Sequence, residues 1–264
     1  LVQSAWSTLS DMGIDAAGNP HIRLDIEKRD KKSPRAFCSP VRVPDEVYLV
    51  IMPHGGVDDY VSFFHELGHT LHFAHTAASL PVAARFLGDN SVTEAHAGLI
   101  ERLPTNPLWL SDKLGVESCA EFIRFMDFFE LYMLRRYSAK LHYELRLHGW
   151  RDSLADCSSI YAKLLSEATL VEYSTDDYMR DVDPHFYCVR YLRSWMLERQ
   201  MREYFEKTFG ARWYASHDAG QALMELWSLG QFENAEQISS RLGFDRLDMD
   251  AIISHYSRGI GCEI

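Results

Sequence analysis

The chain has no apolar run of the roughly 18 residues that a membrane-spanning helix needs, so its sequence excludes a transmembrane helix. Cysteine is sparse and badly placed for cross-linking. The five residues Cys38, Cys119, Cys157, Cys188 and Cys262 are scattered, odd in number and form no Cys-x-x-Cys pair. That pattern argues against a disulfide framework and for reduced thiols in a cytoplasmic protein. Positive charge is short, with 27 Lys and Arg against 38 Asp and Glu and a net charge of −11. A chain this acidic argues against nucleic acid as the main partner. A solvated acidic surface accounts for the charge, and cationic peptides suit it. No secretory signal, internal repeat or low-complexity segment is visible.

What remains is a globular composition, 47% apolar and 25% charged, with mean hydropathy −0.23 and ample length for a sizeable core. The most informative stretch is His65-Glu66-Leu67-Gly68-His69. On an α-helix, positions i and i+4 lie one above the other on one face. The two imidazoles can therefore share one zinc ion, with Glu66 about 100° round the helix, close enough to handle the proton of an activated water. Local sequence supports a helix here. Gly55-Gly56 breaks the preceding segment, Asp58 or Asp59 can cap, and Phe63, Phe64, Leu67, Leu71 and Phe73 supply a broad apolar surface.

Two residues compete as third ligand. His75 has the ten-residue spacing from His65 that metzincins use, but that pattern needs glycine at position 72, where this chain has His72. On a continuing helix His75 points about 80° off the His65 face and lies about 15 Å further along the axis. Glu94 is the better candidate. It falls in the first turns of a second helix that Asn90 or Ser91 can cap, with Glu101 seven residues on along the same face. Two helices side by side can bring His65, His69 and Glu94 to one point. Two His, one Glu and an open position make a catalytic rather than a structural zinc site. His72 and His75 read as ordinary helix histidines, and His96 as another or as a support behind the metal.

Four segments resemble zinc peptidases of the thimet oligopeptidase and oligoendopeptidase F family. The first is Asp25-Ile26-Glu27-Lys28-Arg29 with Lys32 and Arg35-Ala36-Phe37-Cys38, where Arg35 replaces the family's usual glycine. The second runs from Phe64 to His72. The third is Thr93-Glu94 with Glu101. The fourth is Pro184-His185-Phe186-Tyr187-Cys188-Val189-Arg190-Tyr191, followed by Arg193 and Trp195 where the family carries further aromatics. The resemblance extends from about Asp25 to Leu242. It implies a gluzincin: a mainly α, zincin-like catalytic domain over residues 1–264 with one Zn2+ per chain and a peptide substrate. It also implies a channel that restricts substrates to short peptides. Family members carry an additional N-terminal helical half, so this chain resembles the C-terminal catalytic part, with the channel's other wall on a missing half or a partner chain.

The only clear β signal lies at 37–52, where Phe37–Val43 and Val47–Met52 flank Pro44-Asp45-Glu46 as a small hairpin. It reads equally as a substrate-aligning strand edge or as a structural flap. The rest reads as helix: Ala120–His148, Ser153–Tyr173, Phe186–Phe209, Ala219–Leu229, Ala235–Leu242 and Met249–Tyr256. The expected reaction is endopeptidase hydrolysis of short peptides. Zinc on His65, His69 and Glu94 acidifies a water, Glu66 acts as general base, and His185, Tyr187 or Tyr191 donates to the oxyanion. Amphipathic packing is the competing role for the two tyrosines. Glu101 either steadies a ligand from behind or is a core carboxylate. The alternatives are a zinc carboxypeptidase or other amide hydrolase, and a non-catalytic zinc-binding half-protein.

Overall fold

The structure, a computed structural model, describes residues 1–149 and 153–260. It is mainly helical. Among the described residues, eleven α-helices follow in chain order: α1 Val2–Asp11, α2 Val57–His75, α3 Val82–Phe86, α4 Asn90–Glu101, α5 Pro107–Leu114, α6 Ala120–His148, α7 Leu154–Thr169, α8 Tyr187–Phe209, α9 His217–Ser228, α10 Ala235–Arg241 and α11 Asp250–Ile260. Three strands, β1 Ile22–Asp25, β2 Phe37–Arg42 and β3 Glu46–Val50, form one sheet in the order β1-β3-β2. The hairpin read from the sequence is β2 and β3, antiparallel with Phe37 opposite Val50. β1 is an addition: it pairs parallel to β3, Ile22 opposite Val47. Among the described residues no helix is long and apolar enough to cross a membrane. Cys38, Cys119, Cys157 and Cys188 form no disulfide, and Cys262 lies outside the described residues.

The described chain divides into two compact units, 1–123 with 194–264, and 124–193. In the first, α2 is the central element. Its Phe63, Phe64, Leu67 and Leu71 are buried in one core with Val92, Leu99 and Ile100 of α4, Trp109 of α5, Leu223 and Trp227 of α9, Val47 and Leu49 of β3, and Ile51 just beyond it. Side chains on most faces of α2 are enclosed, which is why its apolar pattern reads as broad rather than as a stripe.

Helix entry differs in detail from the sequence reading. α2 begins after Gly56, which stands at φ 99°, and has no side-chain cap. Asp59 instead reaches back, its Oδ2 accepting from the His54 N–H at 2.7 Å and the Gly55 N–H. α4 is capped one residue earlier than Asn90, by Asp89, whose carboxylate accepts from the Ser91 and Ala235 N–H groups. α2 then runs unbroken through His72 to His75.

α2 and α4 approach closely at Gly68. A Cβ placed there would stand 2.6 Å from the Ala97 Cα, so hydrogen is the only side chain this crossing admits.

The second unit has its own small core of Ala139, Tyr143, Cys157, Tyr161 and Leu165. A polar network ties residues 178–188 to α6. Arg136 Nη2 lies 2.6 and 2.7 Å from the two Asp181 oxygens, Tyr161 Oη donates to Asp181, and Lys140 Nζ donates to Asp183 at 2.7 Å. Buried Glu144 accepts from the Asp183 N–H at 3.1 Å and from the Cys188 thiol at 3.5 Å.

Gly68→Ala is expected to destabilise the fold by about 1–3 kcal/mol, the range for overpacking. Denaturant unfolding of both proteins measures this, and an unchanged midpoint would show that the crossing relaxes.

Candidate metal centre

α2 presents His65 and His69 on one face, and α4, alongside it, presents Thr93, Glu94 and Glu101 toward them. The geometry is convergent. The two Nε2 atoms are 3.2 Å apart, and one Glu94 oxygen lies 3.6 Å from His65 Nε2 and 3.7 Å from His69 Nε2. The ligand atoms offered by His65, His69 and Glu94 all lie within 4.8 Å of one another. Glu94 is only 10% exposed and His69 13%, while His65, at 26%, stands nearest to solvent.

Each ring is held from behind. His65 Nδ1 donates to Glu101 Oε2 at 2.6 Å. His69 Nδ1 lies 2.9 Å from Thr93 Oγ1. In the neutral tautomers with Nδ1 donating, to the Glu101 carboxylate and to the Thr93 hydroxyl, each Nε2 keeps its lone pair. This is the arrangement in which a ligand histidine hands its other N–H to an oxygen that orients the ring. With both rings neutral, two lone pairs and an anionic oxygen face one point, and a divalent cation that displaces the His65 proton satisfies that donor set. The protonation equilibria show the same demand for positive charge. Burial works against a charged His65, but the Glu101 and Glu94 carboxylates outweigh it and push the ring up to about 10. Burial works to raise Glu94, but His65 and His69 outweigh it and hold its carboxyl well below the usual range.

Glu66 lies beside this cluster without joining it. Its Oε2 accepts from the Cys38 backbone N–H on β2 at 2.7 Å. That contact orients β2. The Cys38 N–H turns away from β3 toward α2, so the outer edge of the strand runs past the carboxylate. Pro40, two residues on, faces the same edge, where its missing N–H removes no ladder bond. Burial pushes the Cys38 thiol up to about 12, against a hydrogen bond to Thr70 and with the Glu66 charge adding to the shift.

The other histidines point elsewhere. His72 is fully buried, its Nε2 donates to the Gly230 carbonyl at 3.1 Å, and burial lowers it to about 4. His75 Nδ1 donates to the Leu71 carbonyl at 2.8 Å, and its ring packs on Trp227. His96 is buried, its ring centroid 4.7 Å from that of His72, and burial lowers it well below the usual histidine range. The side chain behind His69 is Thr93 rather than His96, and Glu101 takes the supporting place its sequence position left open.

His185, Tyr187 and Tyr191 lie in the second unit. His185 is exposed, in a short 3-10 turn before α8 and in the left-handed region at φ 57°. The Tyr187 and Tyr191 rings meet edge to face at 5.1 Å, Tyr191 also meets Tyr137 at 5.3 Å, and the Arg190 guanidinium lies 5.0 Å from the Tyr187 ring centre. The polar network around Asp181, Asp183 and Glu144 secures this segment and was not legible in the sequence.

No protein-family model and no curated protein matches this chain. Solved structures do. The Trypanosoma cruzi metallocarboxypeptidase 1 matches with TM-score 0.67 at 14% identity, over 97% of this chain and 60% of its own. The structure of CHT matches with TM-score 0.65 at 16% identity, over 97% and 58%. The BsuCP crystal structure matches with TM-score 0.65 at 14% identity, over 98% and 58%. The chain thus spans about three fifths of the length of these structures. At such identities the likeness shows the fold: nearly the whole chain has the fold of part of a metallocarboxypeptidase.

Removing the negative charge behind His65 should loosen a bound ion without removing a ligand. Glu101→Gln is expected to weaken zinc affinity about 10–100-fold in competition with a chromophoric chelator, whereas Glu94→Ala should abolish stoichiometric zinc. Full zinc content in Glu94→Ala by elemental analysis would take Glu94 out of the ligand set.

Proposed function

We propose that this chain is a zinc-dependent peptidase that hydrolyses peptide bonds of short peptides. The observation that carries the reading is the meeting of two groups of atoms. His65, His69 and Glu94 converge on one point, and Glu66 stands beside them against the outer edge of β2. A structural zinc site needs no carboxylate there.

His65 Nε2, His69 Nε2 and a Glu94 oxygen would hold the ion. Bound there, zinc supplies Lewis acidity, which lowers the pKa of a water toward neutrality and stabilises developing negative charge. The chain's own residues do the rest. Glu101 and Thr93 hold the imidazoles in the tautomer that keeps Nε2 available. The Cys38 N–H occupies Oε2 of Glu66 and sets its rotamer, which leaves Oε1 to take the proton of the attacking water and return it to the leaving amine. Along the outer edge of β2, where the Cys38 N–H is taken by Glu66 and Pro40 has none, the main-chain carbonyls are the groups left to align an extended peptide, in preference to a merely structural flap. On the family resemblance of Pro184–Tyr191, His185, Tyr187 or Tyr191 would provide a donor for the oxyanion, a contribution of about 10²–10³ in rate for one such group. One chain carries one zinc ion.

Two modes of attack fit this machinery. The motif pattern favours internal cleavage of short peptides. The fold shared with a metallocarboxypeptidase favours removal of C-terminal residues as a second reading.

Glu66→Gln should retain zinc and lose about 10²–10⁴ in turnover of a quenched peptide, the range for general acid–base catalysis. Near-normal turnover would remove Glu66 from its role. Mass spectrometry of products from matched free-acid and amidated peptides separates the two modes, since only internal cleavage consumes the amides. His185→Ala is expected to lower kcat far more than it raises KM, and an unchanged kcat would return His185 to a structural role.

A further inference from the structure

The segment between β1 and β2 is a basic island in an acidic protein. Residues 25–35 hold five cations, Lys28, Arg29, Lys31, Lys32 and Arg35, against three carboxylates, Asp25, Glu27 and Asp30, whereas the chain as a whole carries −11. The five cations divide sharply by what they touch. Arg29 grips both Asp25 oxygens at 2.7 and 2.6 Å. Lys32, its side chain only 2% exposed, donates to Asp25 Oδ1 and to the carbonyls of Asp25, Glu27 and Ile51, all within 3.0 Å. These two are the loop's anchors. They pin it to the ends of β1 and β3.

Lys28, Lys31 and Arg35 are different. All three are exposed, and none forms an ion pair among the described residues. Lys31 also sits at φ 65°, a left-handed conformation that a residue with a Cβ rarely adopts. Such conformations persist only where the surrounding structure over-determines them, and they concentrate at binding sites. Here the neighbouring Lys32, with its four hydrogen bonds, is the constraint. The loop is thus rigidly held, yet three of its charges are left without partners.

Its position gives those charges a target. The loop leads straight into β2, and Arg35 stands three residues before Cys38, at most about 11 Å along the chain. Cys38 is the residue whose N–H binds the Glu66 carboxylate. A peptide that runs along β2 past Glu66 toward the N-terminal end of the strand heads for the loop that carries these three cations.

We propose that Lys28, Lys31 and Arg35 form a carboxylate-recognition edge that selects anionic peptides on one side of the scissile bond, an inference that rests on the peptidase reading. The carboxylate has two possible sources, an acidic side chain or the free C-terminus of the peptide. The second source would make the chain a carboxypeptidase. The overall acidity of the protein works against such ligands at long range, and local unpaired cations overcome it only at short range, within a Debye length of about 10 Å.

The test uses three peptides of one sequence: a neutral C-terminal amide, the same peptide as a free acid, and an amide with two neutral residues replaced by Asp. Calorimetric Kd values are measured on the zinc-loaded full chain carrying Glu66→Gln, which prevents cleavage, with and without Lys28→Gln, Lys31→Gln and Arg35→Gln together. The free acid or the acidic amide should bind about tenfold tighter than the neutral amide, as expected for three exposed cations acting together. The gap should narrow with added salt and close in the triple variant. A gain for the free acid alone assigns the C-terminus, and a gain for the acidic amide assigns the side chain. Equal binding of all three peptides, a gap that survives the triple substitution, or no binding of any peptide overturns the proposal. Arg35→Gln alone, with half the gap expected, serves if the triple variant fails to fold. Turnover of the same peptides by the wild-type chain is read separately. A charge preference in binding with no cleavage of any peptide would overturn the peptidase reading while leaving the recognition edge in place.

Discussion

The contact between α2 and α4 at Gly68 and Ala97 is the constraint on which the rest of the site depends. Metal ligands must be held within about half an ångström of the productive geometry, and here the candidate ligands come from two helices. A larger residue at position 68 would separate the helix axes, and the histidines on α2 would move away from Glu94, Thr93 and Glu101 on α4. The close approach is backed by some of the most tightly enclosed side chains in the chain, Phe63, Phe64, Leu67 and Leu71 on one helix and Val92, Leu99 and Ile100 on the other. Packing of this kind stiffens the support without touching the reacting atoms.

The electrostatics of the centre follow from that placement. Bringing two imidazoles together with two carboxylates in a half-buried pocket leaves the carboxylates short of positive charge. In the protein alone a proton on His65 answers the deficit, which is why its ring titrates so high. A divalent cation answers it better, because it also satisfies the lone pair on His69. The same sites that hold a proton would hold the metal, so acid and metal compete for them. The supports divide the work unevenly: a charged carboxylate stands behind His65 and a neutral hydroxyl behind His69.

The elements legible in the sequence were those with strong local periodicity or strong punctuation. The long helix Ala120–His148 was readable to the residue, because 29 residues of helical spacing end at Gly149. The hairpin at 37–52 was readable from two β-branched runs around Pro44-Asp45-Glu46. β1 was not. Four residues, Ile22-Arg23-Leu24-Asp25, carry little periodicity, and their pairing is parallel to a strand 25 positions away, which no local signal announces. Capping was misplaced by one residue at α4 because Asp89, Asn90 and Ser91 are all competent caps, and only the second contact of Asp89, to the Ala235 N–H, favours it. At α2, Asp59 was readable as an acidic residue in the first turn, but not as a clasp on the Gly55-Gly56 loop.

The sequence by itself determined which residues can meet on one helix face. His65 and His69 are neighbours, and Glu66 adjacent, by the 3.6-residue period alone, and His72 in place of glycine keeps the helix running so that His75 leaves that face. Periodicity within a segment carries no distance between segments. That Glu94 meets the histidines, that Thr93 rather than His96 stands behind His69, and that the Cys38 N–H turns toward Glu66 were decided only by the packing of α4 and β2 against α2. The same holds for the basic loop. Its five cations are visible in the sequence, but which two are anchored and which three form no ion pair among the described residues depends on Asp25 and the end of β3, which reach the loop only in the folded chain.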